Sequence, residues 1–452
     1  MNHVINAIEN KKHTLGIFID LSKAFDTIDH GKLMVKLENC GIRGNCFELI
    51  KNYLSPRKQC TMFLNEKSDH QSVLYGVPQG SVIGPLLFIL YINDIVKASN
   101  GGLFILFADD TNIFITADTE AEAYRIANEV LISVHCYMIN NKLHINLGKC
   151  VYIHFRPRLN NNQRMTCART RSREEELSLS LNGIKLKKVT KTRFLGVIID
   201  ENLTWDDHIE YLESKLNSCI VMIKRIRKSI PKAHYKMIYH SLFESHLTYC
   251  ISAWGGASPS KLHKIVSIQK RCIRILFGEK LSFDHPEFYE TCARARTYQE
   301  HKAPKNFELE HTKPLFNKHN LLKLQNLYSL RMFLETYKIM KNHQPISLFS
   351  LLSVNTASKR HIMILPPKVS LDISKNNFVY KTCFIWNKCV QKVFVLPELD
   401  LKIQIVIPGS VTNSDFTASI PFVKNRIKCH LLQIQAIGSH NEWLPHNHII
   451  FK

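Results

Sequence analysis

The chain is 452 residues long, room for about three domains with their own apolar cores, so it is not a small scaffold held together by disulfides. Sixty Lys and Arg against 38 Asp and Glu give a net charge of +22, an excess that suits a polyanionic partner, although a solvated basic surface produces the same total. The 13 cysteines are odd in number and show no CxxC pair or zinc-knuckle spacing, which reads as reduced thiols of an intracellular protein, nuclear or cytoplasmic.

The opening "MNHVINAIENKKH" has neither the apolar core nor the cleavage site of a secretory signal. The longest apolar run, "VIGPLLFILYI", is too short to cross a bilayer and ends at Asn93 and Asp94, so no membrane partner is expected. Residues 1–155 then alternate strand-like and helix-like segments. "LGIFID" reads as a buried strand. "HGKLMVKLENCGI" predicts a helix with Leu33 and Leu37 on one face, ended at Gly41, and "CFELIKNYLSP" repeats the spacing through Phe47, Ile50 and Leu54 before Pro56. "QCTMFLNEKSDHQSVLYG" reads as a hairpin around a polar turn, and a helix opened by Ser81 covers "VIGPLLFILYINDI". In "LFILFADDTNIFI" two runs of β-formers flank "ADDT", the pattern of a hairpin with largely buried strands and two adjacent carboxylates, Asp109 and Asp110, at its tip. An amphipathic helix follows through Ile126, Val130, Val134 and Met138, and "LHINLGKCVYIHF" closes the segment as a strand pair.

Residues 157–178 are polar and charge-mixed, a flexible loop. "LSLSLNGIKLKKV" predicts a hairpin turning at Asn182 and Gly183. From 204 to 278 the pattern is helical, with Ile209, Leu212, Leu216, Ile220 and Ile223 as one apolar stripe and Thr204 with Asp207 as a capping box. Cations gather there: Lys224, Arg225, Arg227 and Lys228 at one helix end, and Lys264, Arg271 and Arg274 on one face of another. Residues 279–325 read as a linker, and 326–452 begin helical in "LLKLQNLYSLRMFLETYKIM" and then lose a clear period.

Neighbouring anions such as Asp109 and Asp110 repel and lose hydration, so a positive group should offset them, although a turn of this composition also arises without any chemistry. Asp20 ends a strand, where it serves equally as a helix N-cap; if that strand lies beside the hairpin, three carboxylates meet at one sheet edge, a set of hard oxygen ligands suited to Mg²⁺. Between them "YGVPQGSVIGPLLF" reads either as a loop that lets backbone approach a ligand or as an ordinary Pro-Gly turn before a core helix.

The order of these pieces is more specific than any one of them. An aspartate strand end, "GVPQGSVIGPLLFILYIND", "FADDT", "NKLHINLGKC" and "FLGVIID" run in the order that resembles the reverse transcriptases of non-LTR (LINE-like, jockey type) retrotransposons, and the likeness continues through "LTYCISAWG", "QKRCIRIL", "EHTKPLF" and "FIWN". The resemblance implies an α+β fold: a polymerase palm, an antiparallel sheet backed by helices, over 1–156 without fingers; a polar loop and primer-grip hairpin over 157–203; a helical thumb over 204–278; the linker at 279–325; and a mostly helical C-terminal region. It implies template-directed nucleotidyl transfer with an RNA template, a DNA primer and deoxynucleoside triphosphates as partners and two Mg²⁺ ions, or Mn²⁺, as cofactor. Asp20, Asp109 and Asp110 become metal ligands assisted by the Leu21 carbonyl, and Phe25 a gate against a ribose 2′-hydroxyl, where periodicity alone favours a core aromatic. Gln79 and Gly80 become contacts to nucleotide and template. Lys149 becomes the acid for the leaving pyrophosphate, where a solvated turn lysine fits as well. Phe194, Leu195 and Gly196 become the primer grip, and the seven cations above contacts to a duplex backbone.

Such enzymes carry fingers, and usually an endonuclease, ahead of the palm. With about twenty residues before Asp20, this sequence reads as an N-terminally truncated copy, and no ribonuclease H element is apparent. A non-catalytic nucleic-acid-binding remnant is the alternative to a working polymerase, and a structural relic without a partner a third.

Overall fold

β1, His13–Ile19, is the middle of a five-stranded sheet. Its neighbours are β3, Asp110–Ala117, and β4, Val151–Phe155, both antiparallel to it; β2, Leu103–Phe107, forms the edge beyond β3, and β5, Lys187–Lys188, runs parallel to β4 on the other side. The computed structural model describes residues 1–55, 57–157, 177–278, 312–342, 351–355, 363–369 and 378–393 and five positions between 424 and 432. Pro56, most of the loop predicted at 157–178 and residues 279–311 of the predicted linker lie outside them. The chain divides into two units, one of residues 6–194 and 200–202 and one of 1–5, 195–199 and 203 onward.

In the first unit, strand alternation decides which side chains meet the helices. Leu15, Ile17 and Ile19 of β1 share a core with Ile113 and Ile115 of β3 and with Val130, Val134 and Met138 of α5, Glu120–Asn140. The same core takes Leu33 and Leu37 of α2 (His30–Asn39; α1 is Asn2–Glu9), Leu54 of α3 (Asn45–Leu54) and Phe88 and Tyr91 of α4 (Gly84–Ile92). Each such aliphatic or aromatic burial is worth about 1.5–3 kcal/mol. Lys36 is drawn inside this packing, between the Tyr91 and Tyr137 rings, where its Nζ donates to the Tyr91 carbonyl (2.5 Å), Asp94 Oδ1 (2.7 Å) and the Tyr137 hydroxyl (3.0 Å). Burial pulls Lys36 below its ordinary value against the opposing effect of Asp94. On the opposite face lie Gly16 and Phe18; a Cβ on Gly16 would stand 3.1 Å from ring atoms of both Phe114 and Phe155.

Two local expectations shift. β2 is an edge strand, so Leu103 and Phe107 are exposed rather than buried. His144–Ile145 pairs with Leu21–Ser22 while β4 pairs with β1, so "LHINLGKCVYIHF" is two strands with different partners. The hairpin at 58–72 forms, with pairs Lys58↔Ser72 and Phe63↔Glu66, and Asn182 and Gly183 both take the positive φ of a primed turn, at 52° and 77°.

The second unit is helical. α6, Asp206–Ile226, buries the predicted stripe from Ile209 to Ile223 against α7, Pro259–Phe277. The helix starts one residue later than a Thr204 N-cap would place it: Trp205 stands at the N-cap position in the left-handed region at φ 68°, and Thr204 Oγ1 accepts from Asp206 N at 3.5 Å. The end of the predicted linker is folded, with a helix at Lys313–Lys318 and Phe316, Leu321 and Leu322 in the core beside α8, Leu324–Asn342, and α9, Phe378–Val393. Phe333 of α8 stacks on Trp386 of α9 at 4.9 Å, so described residues beyond 326 belong to the same core as α6 and α7.

Gln269 joins three chain segments of this unit. Fully buried on α7, it donates from Nε2 to the Tyr239 hydroxyl (2.9 Å) and the Leu322 carbonyl (3.0 Å) and accepts at Oε1 from Leu324 N (3.0 Å). Gln269→Leu keeps the volume and strands three polar groups, each costing about 1–3 kcal/mol. Urea unfolding of the full chain is expected to show a loss of several kcal/mol, whereas a change below about 0.5 kcal/mol contradicts this role.

Candidate active site

The antiparallel register of β1 with β3 sets the site. Pairing runs from His13↔Ala117 to Ile19↔Thr111, and Asp20 and Asp110 are the next residues beyond that last pair, close enough for the Asp20 charge to act on Asp110. Cross-strand partners point to one face, so the two carboxylates stand together on the side bearing Phe18 and Phe114, away from the helical core. The turn from β2 to β3 has only two residues between the paired Phe107 and Asp110. Ala108 takes φ 50° there, a left-handed conformation that costs a non-glycine residue about 1 kcal/mol or more. Asp109 follows it, and the three anions feel one another: desolvation first, then the charges of Asp109 and Asp20, raise the Asp110 pKa above the usual carboxylate value.

The segment after Asp20 is held on its other side. Leu21 is buried and pairs with Ile145, and the Asp20 carbonyl accepts from Asn146 N at 2.9 Å. Asn146 then accepts at its own carbonyl from Lys149 N (3.0 Å) and Cys150 N (3.1 Å), a tight turn that carries the exposed Lys149 Nζ to 3.7 Å from Asp20 Oδ2. This is a positive group beside the carboxylates, of the kind their repulsion demands. Four of the predicted residues, Asp20, Asp109, Asp110 and Lys149, are therefore neighbours.

Phe25 is half-buried with its ring 4.9 Å from that of Phe88, so it is a packed aromatic as well as the residue five places after Asp20. Gln79 and Gly80 are exposed on a loop anchored to the same stretch: Gly76 N donates to the Ile28 carbonyl and Val77 N to the Phe25 carbonyl, each at 2.8 Å. Gly84 N donates to Ser81 Oγ (3.0 Å), which itself donates to the Pro78 carbonyl (2.7 Å); α4 itself begins at Gly84 with Ile83 at the N-cap, two residues later than the expected start at Ser81. The Phe194 ring packs at 5.9 Å against Phe18, two residues before Asp20. In the second unit, Leu195 and Gly196 take positive φ, and the Leu195 carbonyl accepts from the Tyr249 hydroxyl at 2.8 Å. Asn146 and Tyr249 lie in the stretches "NKLHINLGKC" and "LTYCISAWG" that carry the resemblance, and Asp26, an acceptor for the Gln79 side chain, directly follows Phe25, but the sequence alone assigns them no role because the contacts that give them one are distant along the chain.

The predicted cations are divided by their surroundings. Lys224, Arg225 and Lys228 are exposed at the end of α6, while Arg227 leans over the Tyr235 ring at 6.0 Å. On α7, Arg271 donates to Asn217 and Lys264 lies 3.8 Å from Glu213, both on α6, and Arg274 is exposed.

Among the described residues, one trio of His, Cys, Asp and Glu side chains has its ligand atoms all within 4.8 Å: His13, Glu120 and His154, at the end of β1 remote from Asp20. Arg156 Nε donates to His154 Nδ1 (3.2 Å), which leaves the proton on Nε2 facing His13 Nδ1 (3.1 Å), and Arg156 Nη2 pairs with Glu120 (3.2 Å). Burial pushes His154 down to about 2, so the group is a satisfied neutral hydrogen-bond chain. Asp20, Asp109 and Asp110 do not bring their ligand oxygens within that distance of one another, but as hard oxygen donors they are the set whose chemistry suits a divalent cation such as Mg²⁺.

Residues 2–199 match the family "Reverse transcriptase (RNA-dependent DNA polymerase)". The chain is 26% identical over 288 residues to the RNA-directed DNA polymerase from mobile element jockey of Drosophila funebris, covering 62% of this chain and 30% of that protein. It is 24% identical over 285 residues to the probable RNA-directed DNA polymerase from transposon X-element of Drosophila melanogaster, with 62% and 30% covered. It is 26% identical over 250 residues to the Pol polyprotein from type-1 retrotransposable element R1 of Bradysia coprophila, with 54% and 23% covered. The chain thus spans less than a third of the length of these relatives. Among solved structures, telomerase from Candida albicans with a fragment of telomeric RNA overlays at TM-score 0.32 and 11% identity, over 76% of this chain and 51% of that one, too loosely to carry an argument. No helix of the described residues is long and apolar enough to cross a membrane.

The repulsion at the doublet gives a signed expectation. Because Asp110 is raised in the folded chain, folding is disfavoured as pH rises through its unfolded value and then its folded one. Asp110→Asn removes that charge, so in chelator at pH 7 its melting temperature should exceed that of the wild type by a degree or two. Excess Mg²⁺ should stabilise the wild type and leave the variant unmoved; equal Mg²⁺ responses would exclude Asp110 as a ligand.

Proposed function

With a reverse transcriptase domain of the non-LTR retrotransposon kind over residues 2–199, we propose that the chain carries the palm and thumb of an RNA-directed DNA polymerase, extending a DNA primer on an RNA template with deoxynucleoside triphosphates. The observation that supports it most is the pairing of β1 with β3, whose last pair, Ile19↔Thr111, leaves Asp20 and Asp110 as the adjoining residues, with the charges of Asp109 and Asp20 acting on Asp110. These three carboxylates would hold two Mg²⁺ ions, or Mn²⁺, which supply Lewis-acid activation of the primer hydroxyl and charge neutralisation on the leaving group.

The protein's own residues supply the rest. The primer 3′-oxygen forms a bond to the α-phosphorus as the α–β phosphoanhydride bond breaks, and Lys149, within 4 Å of Asp20, delivers a proton to the departing pyrophosphate. Phe25, fixed by its packing on Phe88, sets the floor under the sugar and excludes a 2′-hydroxyl. Gln79 and Gly80 face nucleotide and template from the anchored loop, and Phe194, Leu195 and Gly196 hold the primer end. Exposed Lys224, Arg225, Lys228 and Arg274, with Arg227, Lys264 and Arg271, track the duplex backbone.

Primer extension on an RNA template separates the readings. Wild type with Mg²⁺ is expected to extend, and Asp109→Asn to lose at least a hundredfold in rate while binding template–primer as before. Absence of extension by both, with salt-sensitive binding kept, would replace the polymerase with a non-catalytic nucleic-acid-binding domain. Lys224→Ala with Lys228→Ala is expected to weaken binding on every sequence and to lower the slope of log affinity against log salt by about two.

A further inference from the structure

The motif "AFDTIDH" continues past the strand-end aspartate, and the proposed chemistry leaves most of it unused. In the fold it is the seat of the "YGVPQG" loop. Gly76, at φ 81°, lies so close that a Cβ would stand 2.8 Å from backbone atoms of Asp26. The Gly76 carbonyl is 2.8 Å from His30 Nε2, Tyr75 bridges to Asp29, and two backbone amides, of Gly76 and Val77, donate to Ile28 and Phe25. The loop therefore has one position relative to Phe25. At its tip, the Gln79 amide Nε2 donates to Asp26 Oδ1 at 2.9 Å.

The chemistry of that last contact is one-directional. An ionised carboxylate only accepts, so it forces the NH₂ end of Gln79 toward Asp26 and turns Oε1 away from it. We propose that Asp26 is a positioning residue for nucleotide selection: it fixes the amide of Gln79 so that an acceptor oxygen, not a donor, is presented to the incoming nucleoside triphosphate. The inference rests on the polymerase reading of the site. It gives the sugar gate Phe25 and the nucleotide contact Gln79 a common rigid mount, since Asp26 follows Phe25 directly in the chain. The group read by Oε1 is then a donor on the nucleotide, a sugar hydroxyl or a base N–H.

Single-nucleotide incorporation by the full chain on an RNA template tests it. Asp26→Ala is expected to raise KM for the deoxynucleotide about tenfold with kcat within threefold, and Asp26→Asn, whose carbonyl oxygen still accepts, to restore KM to within threefold. Gln79→Ala should raise KM similarly and add nothing in the Asp26→Ala background. A normal KM in Asp26→Ala, a fall in kcat alone, or full additivity with Gln79→Ala in a chain whose wild type is active overturns the positioning role while leaving the polymerase reading intact. A wild type that incorporates nothing overturns both.

Discussion

One cross-strand register governs this molecule. β1 must turn Leu15, Ile17 and Ile19 toward the helices, and because side chains alternate, Phe18 and Asp20 then face the other way. β3 obeys the same rule with Ile113 and Ile115, which leaves Asn112 and Asp110 on the face of Asp20. A slip of one residue would bury the carboxylates in the core and expose the aliphatics. The Thr14–Thr116 hydroxyl contact at 2.9 Å and the two-residue turn at Ala108–Asp109 hold the strands against that slip. The hydrophobic effect, acting on residues that do no chemistry, thus sets the spacing of those that would.

The arrangement carries a local cost that the rest of the unit offsets. Like charges at Asp20, Asp109 and Asp110 and the left-handed Ala108 oppose folding, and Lys149 relieves only part of it from an exposed position. The surplus comes from the continuous core behind the sheet and from the Lys36–Asp94–Tyr137 cluster that ties α2, the end of α4 and α5 together. Asp94, the last residue of "YIND", is accordingly a structural anion, whereas Asp20, Asp109 and Asp110 form an anionic cluster that Lys149 offsets only at Asp20.

Much of this was legible in the sequence wherever the signal was local. Periodicity placed α2, α3, α5 and the α6 stripe, Asn182–Gly183 announced its turn, and the motif order pointed to the polymerase family. What sequence could not supply depended on distant contacts. β2 looked buried because its residues are apolar, but an edge strand exposes them. The Thr204 cap gave way to Trp205, and the end of the supposed linker folded because Phe316, Leu321 and Leu322 find a core that its Lys, His and Pro content hides. Asp26 was silent for the same reason, being an unremarkable exposed carboxylate until its partner 53 residues away is in place.

Metal ions shared by carboxylates from two chain-distant segments would mark both segments at once. Loading the chain with Fe²⁺ in place of Mg²⁺ and adding peroxide generates short-lived radicals that cut the backbone beside the bound ion. The account predicts cuts around residue 20 and around residues 109–110 in the same molecule, both suppressed by excess Mg²⁺. Cuts confined to one of those segments, or indifferent to Mg²⁺, would contradict it.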